Sequence, residues 1–302
     1  QQVGMLRCQR VNMVYSGCDM MRDRPKTELI RLEIDGPCCE VILNRADKYN
    51  ALNVQMISEL IEVFEWTANN SVALKGSLTE NGAENLRILV LRGEGKHFCA
   101  GADINMMRDA GAQSAEENRA DSKRLDRLFN SLWSHPCFTI GSIQGVALGG
   151  GAGLISCLDH VILSSDAKIA LSEGKLGILP AVIGPYVYRR VGSAAFRRLA
   201  MNAGRINAQE ALRIGFAEES VENIAEINAR ITAVSNEVLS TGPCAVAAAK
   251  ELTLGFDRWN GSDEELREWT LDFTSRMRSS IEGQEGLSSF LEKRPADWKP
   301  KE

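Results

Sequence analysis

The sequence lacks the features that direct a protein to a membrane or to nucleic acid. Its 302 residues contain no apolar run close to the roughly 20 residues that a membrane-spanning helix needs. The formal net charge is −5, so no broad positive field attracts nucleic acid or anionic lipid. Two arginine pairs, Arg189-Arg190 and Arg197-Arg198, fit a solvated helix face. We therefore expect a soluble, cytoplasmic protein without a nucleic-acid or membrane partner.

Histidine is scarce, and cysteine is not spaced for metal binding. The three histidines show no ligand spacing, and none of the eight cysteines forms a C-x-x-C pair. The polar N-terminal segment has no apolar signal-peptide region, so reduced, buried thiols are expected. We interpret residues 1–25 as a poorly ordered leader. No metal site is predicted.

Several common catalytic templates are also missing. There is no G-x-S-x-G and no H-E-x-x-H. The glycine run at Gly149–Gly151 does not continue as G-x-G-x-x-G, because Leu154 stands where the last glycine is needed. No Gly-Lys-Ser/Thr follows it, and His97 comes after Gly95-Lys96. The P-loop of nucleoside triphosphatases is therefore excluded as well.

The pattern of the first two thirds predicts an α/β architecture. Leu29 to Asp35 alternate as a half-buried strand, and the turn Gly36-Pro37 leads into a second strand of a hairpin. Helical spacing begins near Asn50, which could cap the helix. Residues 69–85 read as a loop. Further strand runs, separated by a helix with a capping box at its start, predict parallel strands joined by crossovers over residues 26–215.

The strand signal disappears after Asn207, which begins another capping pattern. Residues 216–302 are therefore predicted to form an all-helical region. Its apolar stripe from Ile224 to Val238 exceeds what a small appendage can bury alone, so we expect this stripe to be an assembly surface.

Three short segments carry the candidate chemistry. "CAGADI" (Cys99 to Ile104) and the run at Gly149–Gly151 both reduce their side chains, so that backbone N–H groups are accessible. Two such donors that converge on one oxygen form an oxyanion hole. The third segment contains Glu173 among apolar residues, a setting that raises a carboxyl pKa and suits proton transfer. The glycines alone fit a tight helix–strand contact equally well, and Glu173 alone fits a surface carboxylate paired with Lys175.

Taken together, these segments resemble the enoyl-CoA hydratase/isomerase (crotonase) family. The resemblance rests on "LNRADKYNALN", "HFCAGADI", "GVALGGGAG", "SEGKLGILP" and "FLEKRPADW", which run in family order from about Thr27 to Trp298. It implies a spiral of ββα units with a C-terminal helical trimerisation region, and a trimer or a hexamer built as a dimer of trimers. It also implies acyl-CoA thioester substrates and no separate cofactor, since coenzyme A is part of the substrate.

The resemblance assigns roles residue by residue. The oxyanion N–H groups fall on Ala102 and Gly150, with Gly149 beside them, and the acid/base role falls on Glu173. The coenzyme A moiety would lie against Ala100 and the Asp103-Ile104 turn, with Lys48 nearby. Lys293 would reach the coenzyme A phosphates of an adjacent subunit. Ala46 stands where the family usually has proline.

Gly153 is the main departure from the family, because hydratases with two carboxylates have a glutamate there. Family members with a single glutamate include enoyl-CoA isomerases and bacterial proteins of the methylglutaconyl-CoA hydratase type, which the chain resembles more. We therefore expect a hydratase that acts on a branched or dicarboxylic 2-enoyl-CoA, with Gly153 lining the acyl site. The alternatives are a Δ3,Δ2-enoyl-CoA isomerase and an acyl-CoA-binding protein without catalysis.

Overall fold

A computed structural model describes residues 24–72 and 85–299 of the chain. The expected leader therefore lies outside the described residues, except for its last two positions. The same is true of most of the loop expected at 69–85.

The described residues contain two β-sheets. The strands are β1 (Ile30–Asp35), β2 (Cys38–Leu43), β3 (Ile88–Gly93), β4 (Phe138–Ile143), β5 (Val146–Leu148), β6 (His160–Ser164), β7 (Lys168–Ala170), β8 (Ile206–Asn207) and β9 (Glu219–Val221). The larger sheet has the order β1-β2-β3-β4-β6-β9, and the smaller has the order β5-β7-β8. The expected hairpin of β1 and β2 is confirmed as antiparallel, and the rest of the larger sheet is parallel.

Helices connect these strands and continue beyond them. They are α1 (Val54–Asn69), α2 (Ile104–Gly111), α3 (Ala115–Trp133), α4 (Gly150–Ser156), α5 (Gly184–Asn202), α6 (Ala208–Arg213), α7 (Ile224–Ser240), α8 (Pro243–Arg258), α9 (Asp263–Arg278) and α10 (Ile281–Glu292). Two 3₁₀ helices, Ala46–Lys48 and Ser172–Leu176, complete the elements that matter for the site. No helix in residues 24–72 and 85–299 is both long and apolar enough to cross a membrane.

Local signals placed most helix starts correctly. Ser114 and Ser262 form full capping boxes at α3 and α9, and Asn207 accepts from the Glu210 N–H at α6. The assignment of Asn50 as the cap of α1 was wrong, because Asn53 caps that helix. Asn50 is instead fully buried, and its side chain binds backbone atoms of the site described below.

The region after residue 216 is not wholly helical. Strand β9 lies inside it and pairs in parallel with β6 at the edge of the larger sheet. The sequence Glu-Ser-Val is too short to show the alternation that predicts a strand. This strand exists because β6 leaves backbone donors and acceptors unpaired on that side, and a passing segment can satisfy them.

The apolar stripe of α7 packs on its own chain, which contradicts its expected role as an assembly surface. Ile227, Ile231 and Val234 lie against Ile88 and Ile162 on one face of the larger sheet. The exposed apolar side chains of the C-terminal region lie mainly on later helices. They include Leu271, Ile281, Leu287, Phe290 and Leu291.

Candidate active site

The segment before α2 lies so close to β5 that its backbone has no room for side chains. The Cys99 N–H donates to Val146 O (3.1 Å), and the Leu148 N–H donates to Cys99 O (3.0 Å). Gly101 has φ +94, and a Cβ there would lie 2.6 Å from Leu148 O. Only glycine tolerates both the positive φ and this approach. The small side chains of this segment therefore allow its backbone to pack directly against the backbone of β5.

This contact leaves the Ala102 N–H without an acceptor. The neighbouring backbone groups are occupied, since the Leu52 N–H donates to Gly101 O (2.8 Å) and the Asp103 N–H donates to Leu52 O (2.9 Å). No acceptor in the described ranges takes the N–H of Ala102, which is partly exposed. The donor is thus held in place and is accessible from outside.

A second unpaired donor lies at the first residue of α4. Gly149 precedes the helix with φ +49, and its own N–H donates to Ala170 O (2.9 Å). Gly150 has no acceptor one turn earlier, as is general at a helix start, and no other described acceptor takes its N–H. A Cβ built on Gly150 would lie 3.7 Å from the Ala102 nitrogen, so the two N–H groups share one small space.

The glycine run also makes the tight contact that was the competing interpretation. A Cβ on Gly151 would lie 2.4 Å from Cys99 O. Gly151 therefore allows α4 to pack on the segment that carries Ala102, whereas Gly150 supplies the donor. The tight contact is confirmed at Gly151, and the donor role of Gly150 stays a prediction.

Glu173 lies beside these donors on the 3₁₀ helix Ser172–Leu176. Its Oε1 atom is 3.1 Å from the position that a Cβ of Gly149 would occupy. Its Oε2 atom is buried and has no hydrogen-bond partner among the described residues, and burial raises the pKa of the carboxyl group. No ion pair with Lys175 is formed within the described ranges, so the interpretation as a surface pair is wrong. A buried carboxyl group with a raised pKa and a free oxygen is a candidate proton carrier.

Arg45 holds the segment that carries Ala102, Asn50 holds the stretch of chain just before it, and sequence reasoning missed both roles. Arg45 Nη1 donates to Asp103 Oδ2 (2.9 Å). The Asn50 amide donates to Glu94 O (3.0 Å) and His97 O (2.8 Å), and Asn50 has φ 55. An asparagine next to the short polar turn "RADKY" was the available signal, because asparagine tolerates left-handed backbone.

The residues expected near coenzyme A are only partly brought together. The Ala100 N–H donates to Tyr49 O (2.9 Å), which joins Ala100 to the turn that carries the exposed Lys48. Ile104, two residues after Ala102, is 63% exposed. The carboxylate of Asp103 is occupied, because Oδ1 caps α2 through the Asn105 N–H and Oδ2 binds Arg45.

Lys293 lies far from these residues in its own chain. It ends α10 in a left-handed conformation and is exposed. The Trp298 carbonyl shortly after it accepts from Arg87, which precedes β3, whereas the Ala102 segment follows the other end of β3. No described contact links Lys293 to the two donors.

Gly153 is enclosed by other side chains. A Cβ there would lie 2.4 Å from Cγ2 of Ile183 and 2.9 Å from Cε1 of Phe129. Both of these side chains are buried, with 4% and 1% exposure. The space that a second carboxylate would need is therefore filled with hydrocarbon.

Comparisons with known proteins agree on one family. A family model described as enoyl-CoA hydratase/isomerase matches residues 33–301. A solved enoyl-CoA hydratase from Shewanella pealeana is 36% identical, with TM-score 0.82 over 90% of this chain and 97% of that one. Crotonyl-CoA hydratase of Syntrophomonas wolfei is 32% identical over 90% of this chain and 98% of its own length. Carnitinyl-CoA dehydratase of Proteus mirabilis is 30% identical over 90% and 99%.

Proposed function

The chain belongs to the enoyl-CoA hydratase/isomerase family, and we propose that it adds water to a 2-enoyl-CoA thioester. One observation carries the proposal. Two unpaired backbone N–H groups, of Ala102 and Gly150, lie next to a half-buried carboxyl group with an unsatisfied oxygen, that of Glu173. Donors for a developing oxyanion and a proton carrier are what this addition requires.

The reaction divides between these groups. The thioester oxygen accepts from both N–H groups. Glu173 takes a proton from water as the water oxygen bonds to the β-carbon, and the double-bond electrons move to leave negative charge on the thioester oxygen. Glu173 then returns its proton to the α-carbon. A single well-placed oxyanion donor stabilises such a transition state by about 3 kcal/mol. Coenzyme A enters with the substrate, and no separate cofactor is proposed.

The coenzyme A moiety extends over the side of the site away from α4. Ala100, Ile104 and Lys48 are accessible there. We assign Asp103 a supporting role, because its oxygens already bind Arg45 and cap α2. Its backbone, rather than its carboxylate, remains the candidate contact.

Assembly would complete this side of the site. The exposed Ile281, Phe290 and Leu291 on α10 support contact with a second copy, in a trimer or hexamer that presents Lys293 to the neighbour's coenzyme A. Light scattering of the full chain tests this, and an active monomer at micromolar concentration would contradict it.

The acyl group is proposed to be branched or dicarboxylic. The hydrocarbon that surrounds Gly153 favours the branched, apolar alternative, because neither Ile183 nor Phe129 offers a counter-charge to a distal carboxylate.

A Δ3,Δ2-enoyl-CoA isomerase is the second candidate, and one observation favours it. Glu173 has no partner carboxylate at Gly153, and a shift of one double bond needs only one proton carrier. In this reaction no water adds to the substrate.

Purified full-length protein and a panel of CoA thioesters distinguish these functions. A hydratase lowers the ultraviolet absorbance of the conjugated thioester when it is given branched, dicarboxylic or linear 2-enoyl-CoAs. An isomerase raises that absorbance from 3-enoyl-CoAs and leaves 2-enoyl-CoAs unhydrated. Acyl-CoA binding without either change would contradict both and leave a binding protein.

A further inference from the structure

The helix α4 leads from the oxyanion donors toward a second space, an open cleft on the far side of Gly153. Gly150 and Gly153 are three residues apart, so they are neighbours on one face of the helix, and Ser156 lies three residues further along. Ser156 lines an open cleft of about 750 Å³ between α5, α7 and α8, together with Trp133 and Tyr186. The rise from Gly150 to Ser156 is only about 9 Å.

Ile183 and Phe129 interrupt this face at its midpoint. Their contact with Gly153 leaves no room even for a methyl group. We call these two side chains the end wall. Tyr186 stands behind it, with its ring 6.1 Å from that of Phe129 and 5.5 Å from that of Trp133. The wall therefore separates the donors from the cleft.

The end wall lies where the acyl group must extend. The thioester oxygen is placed between Ala102 and Gly150, and coenzyme A leaves on the Ala102 side. The α- and β-carbons must lie within reach of Glu173, which is next to Gly149. The remaining carbons then continue along α4 toward Gly153, about 4.5 Å of helix rise beyond Gly150.

We propose that Ile183 sets the length of acyl group that this site accepts, and that the substrate class is short, of about four to six carbons. The inference rests on the proposed function, since it presupposes that an acyl-CoA occupies the site. Ile183 is the specific element, because its Cγ2 makes the shortest contact with Gly153. Ile183 directly precedes α5, and its carbonyl accepts from the Tyr186 and Val187 N–H groups, which holds its backbone at the start of that helix.

A competing path leads over the loop after Glu173. Leu176, Ile178 and Leu179 are 53%, 39% and 81% exposed there. An acyl chain that followed this path would reach solvent, and its length would then be unrestricted. The two paths predict opposite effects of a long acyl chain on binding affinity.

Titration calorimetry with saturated acyl-CoAs separates the two paths, because these ligands bind without reacting. We expect wild-type affinity to increase from butanoyl- to hexanoyl-CoA and to fall at least tenfold by decanoyl-CoA. Ile183→Ala should move this limit outward by about two carbons, with about fourfold in affinity for each methylene that becomes buried. Ile183→Val removes only Cδ1 and keeps Cγ2, the atom that lies against Gly153, so it should leave the limit close to that of wild type.

Ile61→Ala is the matched control, since it removes the same atoms from a buried position on α1. It should leave the length profile unchanged. Wild-type affinity that stays constant or rises through decanoyl-CoA would overturn the inference while leaving the proposed function intact. A wild-type length limit that folded Ile183→Ala protein does not move would also overturn it. Failure to bind any acyl-CoA would instead contradict the proposed function itself.

Discussion

Two glycine positions on α4, one turn apart, differ in what lies in the space beside them. At the start of α4, Gly149 and Gly150 border a space that contains the unpaired backbone donors and the carboxyl group of Glu173, with Leu52 at its side. One turn later, the missing side chain of Gly153 is replaced by Ile183 and Phe129. A glycine therefore provides access for a ligand only if the rest of the chain leaves the adjoining space empty.

Glu173→Gln should have the largest effect, and it tests the site at the start of α4. The change removes the proton carrier but almost no volume, so we expect turnover to fall about 10²- to 10⁴-fold with acyl-CoA affinity retained. Steady-state kinetics on the preferred thioester, with calorimetry on its saturated analogue, measures both. Turnover near that of wild type would remove Glu173 from the mechanism.

Gly150→Pro tests the backbone donor at the first residue of α4. Proline is tolerated at the first position of a helix but has no N–H, so kcat should fall about 10²- to 10³-fold. Gly150→Ala is the control, because it keeps the N–H and adds a Cβ 3.1 Å from the Leu52 Cδ1 atom. If both variants lose the same activity, the cause is crowding and not the lost donor.

Gly153→Ala tests the position on α4 whose adjoining space is filled by Ile183 and Phe129. An alanine in a helix usually stabilises relative to glycine, but here its Cβ would overlap Ile183, and overpacking costs about 1–3 kcal/mol. We expect the thermal midpoint to fall by several degrees. In an Ile183→Ala background the same change should cost less, because only the closest approach to Phe129, 2.9 Å, then remains. A higher midpoint for Gly153→Ala alone would show that the space is not filled.

The smallest expected effect is on stability, and it comes from burying the ionised form of the Glu173 carboxyl group. Burial raises the pKa of Glu173 above its ordinary value, 4.5. Its protonated form therefore contributes stability that is present below that value and is lost as pH rises through the raised pKa. The thermal midpoint of Glu173→Gln, relative to wild type, should increase as the pH rises above 4.5. A difference independent of pH would place the carboxyl group in water.

Much of the fold was readable from local patterns. The hairpin, the caps at Ser114, Asn207 and Ser262, and the order of strands and helices each depend on residues a few positions apart. Among the candidate site residues, Ala102, Gly150 and Glu173 were found from the sequence and lie together in the structure.

Other features depend on distant parts of the chain. The sequence marked the stripe of α7 as apolar but could not tell that the chain's own sheet covers it. The carboxylate of Asp103 could not be assigned to Arg45, because the two residues are 58 positions apart.

The sequence by itself determined which residues could do the chemistry: two backbone sites without side chains and one glutamate in apolar surroundings. Only the tertiary structure decided which glycine stays accessible and which is filled, because Phe129 and Ile183 approach Gly153 from two other helices. Hydrogen-bonded periodicity is local and is visible in the order of residues. Packing is a property of volumes that meet in space, and it depends on every element that reaches the same place.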